Sequence, residues 1–157
     1  MNYALTCAFT GHREIPNPKD LKIKLLKVLE SLYFEYDVRY FVAGGALGFD
    51  TLAAEAVLEL REMYSDISLE IAVPCENQTK GWTADDKKKY EEILSRANTV
   101  TLVSKTYFSG CMHKRNRYMI DKSDICISYL SKDTGGTAYT VKYAKSKGVK
   151  TLNLYNM

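Results

Sequence analysis

Short runs rich in β-branched and aromatic residues alternate with longer stretches whose apolar positions recur at helical spacing, and this alternation continues to the end of the chain. Residues Tyr3 to Phe9 read as a first strand. Asn17 followed by Pro18 then predicts a helix start, because proline suits the first helical position, and the stripe Leu21, Leu25, Val28, Leu29 and Leu32 carries that helix to about Tyr36. Arg39 to Ala43 is a second strand. Beyond the glycine-rich GGALGF, Asp50 as a cap opens a helix with Leu52, Ala53, Ala56, Val57 and Leu60 on its inner face. Ile67 to Val73 is a third strand, stopped by Pro74, and Thr83-x-x-Asp86 has the form of a capping box for a helix bearing Tyr90, Ile93, Leu94 and Ala97. Thr99 to Val103, a short helix over Lys114 to Lys122, Ile125 to Leu130, a helix from Thr137 to Lys147 ended by Gly148, and a strand from Val149 to Tyr155 complete the series.

Strictly alternating strands and helices imply an α/β fold: a single Rossmann-like, three-layer domain over residues 1–157, with a mainly parallel sheet of about six strands and helices on both faces. In such a sheet ligands bind beyond the carboxyl ends of the strands, near the point where strand order reverses. The strand-to-helix loops are therefore where chemistry is expected.

Composition narrows the function without naming it. With 157 residues, 46% apolar and 26% charged, the chain has the make-up of an ordinary globular domain. Its formal net charge of +3 comes without a concentrated basic stripe, so nucleic acid is not the expected partner. The longest uncharged, weakly polar run, Tyr40 to Phe49, falls far short of the roughly 20 apolar residues that span a bilayer. No basic stretch precedes the uncharged residues 2–11 and no small-residue cleavage site follows them, so a cytoplasmic chain is expected. Cys7, Cys75, Cys111 and Cys126 fit neither a metal-ligand spacing nor a compact disulfide framework and read as reduced thiols.

The candidate chemistry gathers in three loops. Thr10-Gly11-His12-Arg13 follows the first strand, Gly44-Gly45-Ala46-Leu47-Gly48-Phe49-Asp50 the second, and Asp133-Thr134-Gly135-Gly136-Thr137 the fifth. Glycine admits a close approach of backbone to ligand, and helix-initial N–H groups favour phosphate. Arg13 and Arg115 or Arg117 offer guanidinium groups that hold two phosphate oxygens at once, Asn116 adds a neighbouring amide, and His12 titrates near neutrality. The carboxylates placed to assist hydrolysis at a sugar carbon are Asp50, Glu55 and Asp121, with helix capping the plainer explanation for Asp50 and Asp121. Trp82, Tyr107, Phe108 and Phe49 lie near these loops and offer faces for a base, although such aromatics more often cover a core edge. No zinc spacing, nucleophile elbow or Walker-type loop occurs, and no metal or certain cofactor is expected. The Lys87-Lys88-Lys89 run reads as a solvated helix face.

Taken together, Cys7-Ala-Phe-Thr-Gly-His-Arg13, Gly44-Gly-Ala-Leu-Gly-Phe-Asp50 with Leu52-Ala-Ala-Glu55, Pro74-Cys-Glu-Asn-Gln78 with Trp82, Arg115-Asn116, Met119-Ile-Asp121, Ser123-Asp124 and Gly135-Gly-Thr137 resemble the YpsA-like branch of the SLOG superfamily. The motifs occur in family order over nearly the whole chain. The resemblance implies a Rossmann-like fold shared with DprA-like and Lonely Guy proteins, and assigns ligand contacts to Gly11, Arg13, Gly44, Gly45, Gly48, Gly135, Gly136 and Thr137. The function it implies is binding of a nucleotide or ADP-ribose-like molecule by a sensing or sequestering module, self-associated as a homodimer or higher homo-oligomer. A nucleotide N-glycosidase or phosphoribohydrolase is one alternative, and a DprA-like single-strand DNA-binding or protein-interaction module is another. Where Lonely Guy enzymes show PGGxGTxxE, this chain has Thr134-Gly-Gly-Thr-Ala-Tyr-Thr-Val-Lys142, without the proline or the glutamate.

Overall fold

The computed structural model describes residues 4–157, so the expected first-strand residue Tyr3 lies outside the described residues. The strands are β1 (Leu5–Gly11), β2 (Val38–Ala43), β3 (Ser68–Val73), β4 (Thr99–Leu102), β5 (Ile125–Tyr129) and β6 (Lys150–Asn153). Between them run α1 (Pro18–Tyr36), α2 (Phe49–Met63), α3 (Ala84–Arg96), α4 (Cys111–Asp121) and α5 (Gly136–Ser146), and a 3-10 turn at Leu154–Asn156 follows β6. All five strand pairings are parallel and the order is β4-β3-β2-β1-β5-β6. This is the expected three-layer Rossmann-like α/β fold, with a wholly parallel sheet.

The chain steps outward from β1 to β4, then returns past β1 to lay down β5 and β6. Right-handed crossovers consequently put α1, α2 and α3 on one face and α4 and α5 on the other. The contacts agree: α1 packs on α2, α2 on α3, and α4 on α5. The two faces differ in bulk because side chains alternate along a strand. Phe9, Phe41, Leu69, Ile71 and Ile127 face the α1 and α2 side, where Leu25, Leu29, Val57 and Leu60 meet them. On the other side Ala8, Val42, Ala72 and Cys126 form a flatter surface on which Met119, Ile120 and Ala144 of α4 and α5 rest. No helix among the described residues is long and apolar enough to cross a membrane.

Several boundaries differ from the expected ones for local reasons. Helix α2 opens at Phe49 with Gly48 at the cap, and Asp50 turns its side chain inward. Helix α4 begins at Cys111, because Gly110 in the left-handed region (φ 93°) turns the chain into the helix before Lys114. Thr83 caps α3 as expected, its Oγ1 accepting from the Asp86 N–H at 3.1 Å. Only Ile93 of that helix is fully buried, whereas Tyr90 and Leu94, and Ala97 at its C-cap, stay partly exposed. The last strand ends at Asn153, whose Oδ1 accepts from the Tyr155 N–H and starts the 3-10 turn.

Candidate functional site

A parallel sheet brings the loops after β1, β2, β3 and β5 to one rim, and the first two are fastened together by backbone contact. The Phe49 N–H donates to the His12 carbonyl at 3.1 Å. The Phe49 ring covers Gly11 so closely that a Cβ there would stand 2.4 Å from it. At Gly48, with φ +86°, a Cβ would come within 2.0 Å of the Arg13 carbonyl oxygen. His12 extends this fastening to the β5 side: its Nε2 accepts from the Ser131 N–H at 2.9 Å. Partial burial and then Lys132 lower the His12 pKa, consistent with the neutral ring that this bond requires.

Beneath the β2 loop lies a buried ionic group. Arg115 is 3% exposed, and its Nη1 donates to the carbonyls of Gly44 and of Ala72, the latter at 3.1 Å. Its Nε donates to Asn116 Oδ1 at 2.8 Å, while Asn116 Nδ2 donates to Thr140 Oγ1 at 3.0 Å. Both side chains are thereby engaged inside the protein rather than presented to a phosphate, because the ends of β2 and β3 leave carbonyls that need donors. A Cβ on Gly44 would sit 2.6 Å from the guanidinium, so the missing side chain there makes room for Arg115. Asp50 is buried beside them, and its Oδ2 accepts from the Ala46 N–H at 3.3 Å. Burial pushes its carboxyl up to about 6, against the opposing pull of Arg115 and of the Ala46 hydrogen bond.

Above this layer opens a cavity of about 690 Å³ between α1, α2 and α3. Gly45, Leu47, Gly48 and Thr51 form its floor; Arg13, Lys19 and Lys22 stand on one side, and Trp82, Lys89 and Tyr90 on the other. Glu55 projects between Lys22 at 4.0 Å and Lys89 at 3.5 Å, and Lys22 also reaches Glu59 at 2.6 Å. The Trp82 and Tyr90 rings meet edge to face with centroids 5.4 Å apart. Among the described residues Arg13 makes no ion pair, and its side chain is exposed.

Of the residues singled out from sequence, Arg13, Gly45, Gly48 and Glu55 line this cavity. Thr10 (6% exposed), Gly11, His12, Gly44, Asp50, Arg115 and Asn116 build the rim beneath or beside it. Gly135 and Gly136 start α5 facing open space on the rim, outside the cavity lining, and Thr137 is buried in the first turn. Asp121 is at the opposite edge of the sheet, because α4 runs from the carboxyl rim back toward the start of β5; there its Oδ1 accepts from the Tyr143 hydroxyl at 2.6 Å. Lys19, Lys22, Lys89 and Tyr90 escaped the sequence reading as site residues. On α1 and α3 they look like any solvated or apolar helix position, and only the packing of the helices brings them to the cavity wall. No metal-ligand cluster occurs among the described residues.

Comparison with known proteins agrees with this architecture. The model of the YspA SLOG family (YpsA) matches residues 7–157. The chain is 33% identical over 142 residues to the SPbeta prophage-derived protein YoqJ of Bacillus subtilis (strain 168), covering 83% of each. It is 34% identical over 128 residues to a UPF0398 protein of Bacillus thuringiensis (strain Al Hakam), covering 80% of this chain and 70% of that one. Among solved structures it is similar to DNA processing protein A from Helicobacter pylori, described for its single-stranded DNA binding mode, with TM-score 0.66 and 20% identity. It is also similar to DprA from Streptococcus pneumoniae, with TM-score 0.67 and 18% identity. Each solved likeness covers 94% of this chain but only 63% and 49% of the neighbour, and at such identity it shows the fold alone. The family match along residues 7–157 and the two relatives above 30% identity lead to one assignment: this chain belongs to the YspA SLOG family.

Proposed function

We propose that the rim cavity holds a nucleotide or a nucleotide-derived anion of ADP-ribose type, and that the protein is a binding module that senses or sequesters it. The observation that carries this reading is the cavity itself: cations on both flanks, an aromatic pair at one end, and a glycine floor. Its volume of about 690 Å³ falls within the range of roughly 300–1,000 Å³ usual for small-molecule sites. Arg13 is suited to two phosphate oxygens, Lys19 adds positive field on the same side, Lys22 and Lys89 are shared with Glu55, and Trp82 offers a face to a base. We place the module in the cytoplasm, with the small molecule as its partner and a homodimer as its assembly; light scattering on the purified protein measures the latter.

Mass spectrometry of whatever small molecule is released on denaturation tests the ligand class, followed by calorimetry with AMP and ADP-ribose. Removing charge-assisted hydrogen bonds of about 1.5–3 kcal/mol through Arg13→Ala should weaken binding roughly 10- to 100-fold without unfolding the domain. Unchanged affinity in that variant rejects the assignment.

Glu55 favours a second reading. A carboxylate inside the cavity, set between two ammonium groups, has the position needed to stabilise positive charge at a ribose carbon or to activate water. An N-glycosidase releases free base from a nucleotide panel, whereas a binding module returns the nucleotide intact. The Helicobacter neighbour's described DNA-binding mode makes a gel shift with single-stranded DNA at physiological salt the third arm of the same comparison.

A further inference from the structure

The two edges of the sheet are finished differently. At one of them β6 opens with the exposed Lys150, its other three residues are half-buried, and it runs directly into the 3-10 turn. Asn153 at its end binds Leu130 through both side-chain atoms, accepting from the N–H at 3.0 Å and donating to the carbonyl at 2.9 Å. A short edge strand that starts on a lysine and ends in a turn is guarded against further pairing. At the other edge β4 reads Thr-Val-Thr-Leu, without a charge, a proline or a glycine. No strand lies beyond it among the described residues, so its outer N–H and C=O groups have no ladder partner.

The side chains of β4 are as open as its backbone. Register with β3 sets Val100 beside Ile71 and Leu102 beside Val73, on the side of the sheet that α1, α2 and α3 cover. Helix α3 packs mainly against α2, and Val100 and Leu102 stay 47% and 44% exposed. On the opposite side Thr101 Oγ1 donates to Glu70 Oε2 at 2.8 Å. Apolar exposure continues past the strand at Tyr107 and Phe108.

We propose that the β4 edge is a docking site for an extended segment of another protein, with alternating apolar side chains between acidic residues, which joins the sheet as a seventh strand. The segment's backbone pairs with that of β4, and its apolar side chains cover Val100 and Leu102. Charge selects this occupant. From Arg96 to Lys122 the chain has six basic residues and one acidic residue, Asp121. Arg96 and Lys122 are paired with Glu62 and Glu70, and Arg115 is buried. Lys105 and Lys114 make no ion pair among the described residues. Cations remain in excess even with Glu76 counted, whose N–H donates to the Lys105 carbonyl at 3.5 Å. A second copy of this chain at the same edge would oppose one cationic segment to another. Four strand residues also fall far short of the roughly 800 Å² per partner of a standard interface, a size that suits a short peptide rather than a folded domain.

The test uses the purified chain and a fluorescein-labelled peptide of alternating valine and threonine closed by aspartates at both ends, beside the same peptide closed by lysines. Anisotropy should show saturable binding of the aspartate peptide, about tenfold tighter than the lysine peptide at low salt, and hydrogen exchange should slow at residues 99–102 but not in β6. Val100→Lys gives this edge the guard that β6 has, and should abolish binding with circular dichroism unchanged. Lys105→Glu should weaken the aspartate peptide and strengthen the lysine one, a reversal that loss of folding does not produce. No binding of the aspartate peptide at millimolar concentration overturns the proposal, as does equal binding of the two peptides, or binding that leaves exchange at residues 99–102 unchanged. Protection of those residues in the chain alone, growing with protein concentration, overturns it too, because a second copy then occupies the edge.

Discussion

Asp50 shows at the level of one residue how this rim is built. Its carboxyl is pushed up from the ordinary 3.8 to about 6, chiefly by burial. Between those values the folded chain keeps a proton that the unfolded chain has lost, so this group makes stability fall as pH rises from about 4 to about 6. Once Asp50 is fully ionised, the shift corresponds to a cost of about 3 kcal/mol as an upper figure. Asp50→Asn keeps an oxygen for the Ala46 N–H and removes the titration. The difference in stability between variant and wild type, measured by urea unfolding, should therefore grow in favour of the variant over that interval and stay level above it. A difference independent of pH removes Asp50 from this role. Other carboxylates act in the opposite sense: Glu70, whose oxygens accept from Lys122, Tyr118 and Thr101, has its pKa lowered, and comparison with wild type cancels its contribution.

The glycines mark the limit of what can be read from sequence at this scale. Gly11, Gly44 and Gly48 lack side chains because Phe49, Arg115 and the Arg13 carbonyl, respectively, occupy the space beside them. A glycine that admits a ligand and one that admits a neighbouring loop place the same demand on the sequence. Only Gly45 and Gly48 border the cavity. Arg115 is similar: a guanidinium inside a helix reads as a phosphate clamp until the carbonyls of Gly44 and Ala72 are seen to engage it.

Elements were far more legible than contacts, because apolar spacing at 3.6 or 2 residues records which side of each segment is covered. The stripe on α1 and the capping threonine of α3 are both where the pattern placed them. What spacing does not record is how firmly an element is held. Helix α3 forms one wall of the cavity, yet Ile93 is its one fully buried residue, with Leu94 packed partly against the core and surface pairs such as Arg96 with Glu62 at 3.1 Å assisting. Such a helix opens at lower free energy than the sheet. Ile93→Ala, at a cost of about 2 kcal/mol or more, should accelerate hydrogen exchange across residues 84–96 while β1 and β2 amides keep their protection. Equal loss of protection in both shows that α3 is not a separate unit.

For the whole molecule, the alternation of strands and helices implied a doubly covered parallel sheet, but strand order had to come from the structure. The return past β1 leaves no mark in local spacing, since β5 looks like any other buried strand. That return has a cost at large sequence separation: Ala8 pairs with Cys126, and Gly11 with Tyr129. Loop closure over such a span delays the pairing relative to the neighbouring β1–β2 contact. A chain truncated at Lys105 should consequently form large aggregates by light scattering under conditions where the full chain does not. A monodisperse truncated chain removes that expectation.

The same topology gives the protein a vulnerable interval during synthesis. While the ribosome is still adding residues beyond β4, the strand destined for the middle of the sheet has an unsatisfied edge open to any other nascent polypeptide. Only the emergence of residues 125–129 closes it. Codon choice and chaperone occupancy over that interval therefore bear on the yield of folded protein, independently of how stable the finished domain is.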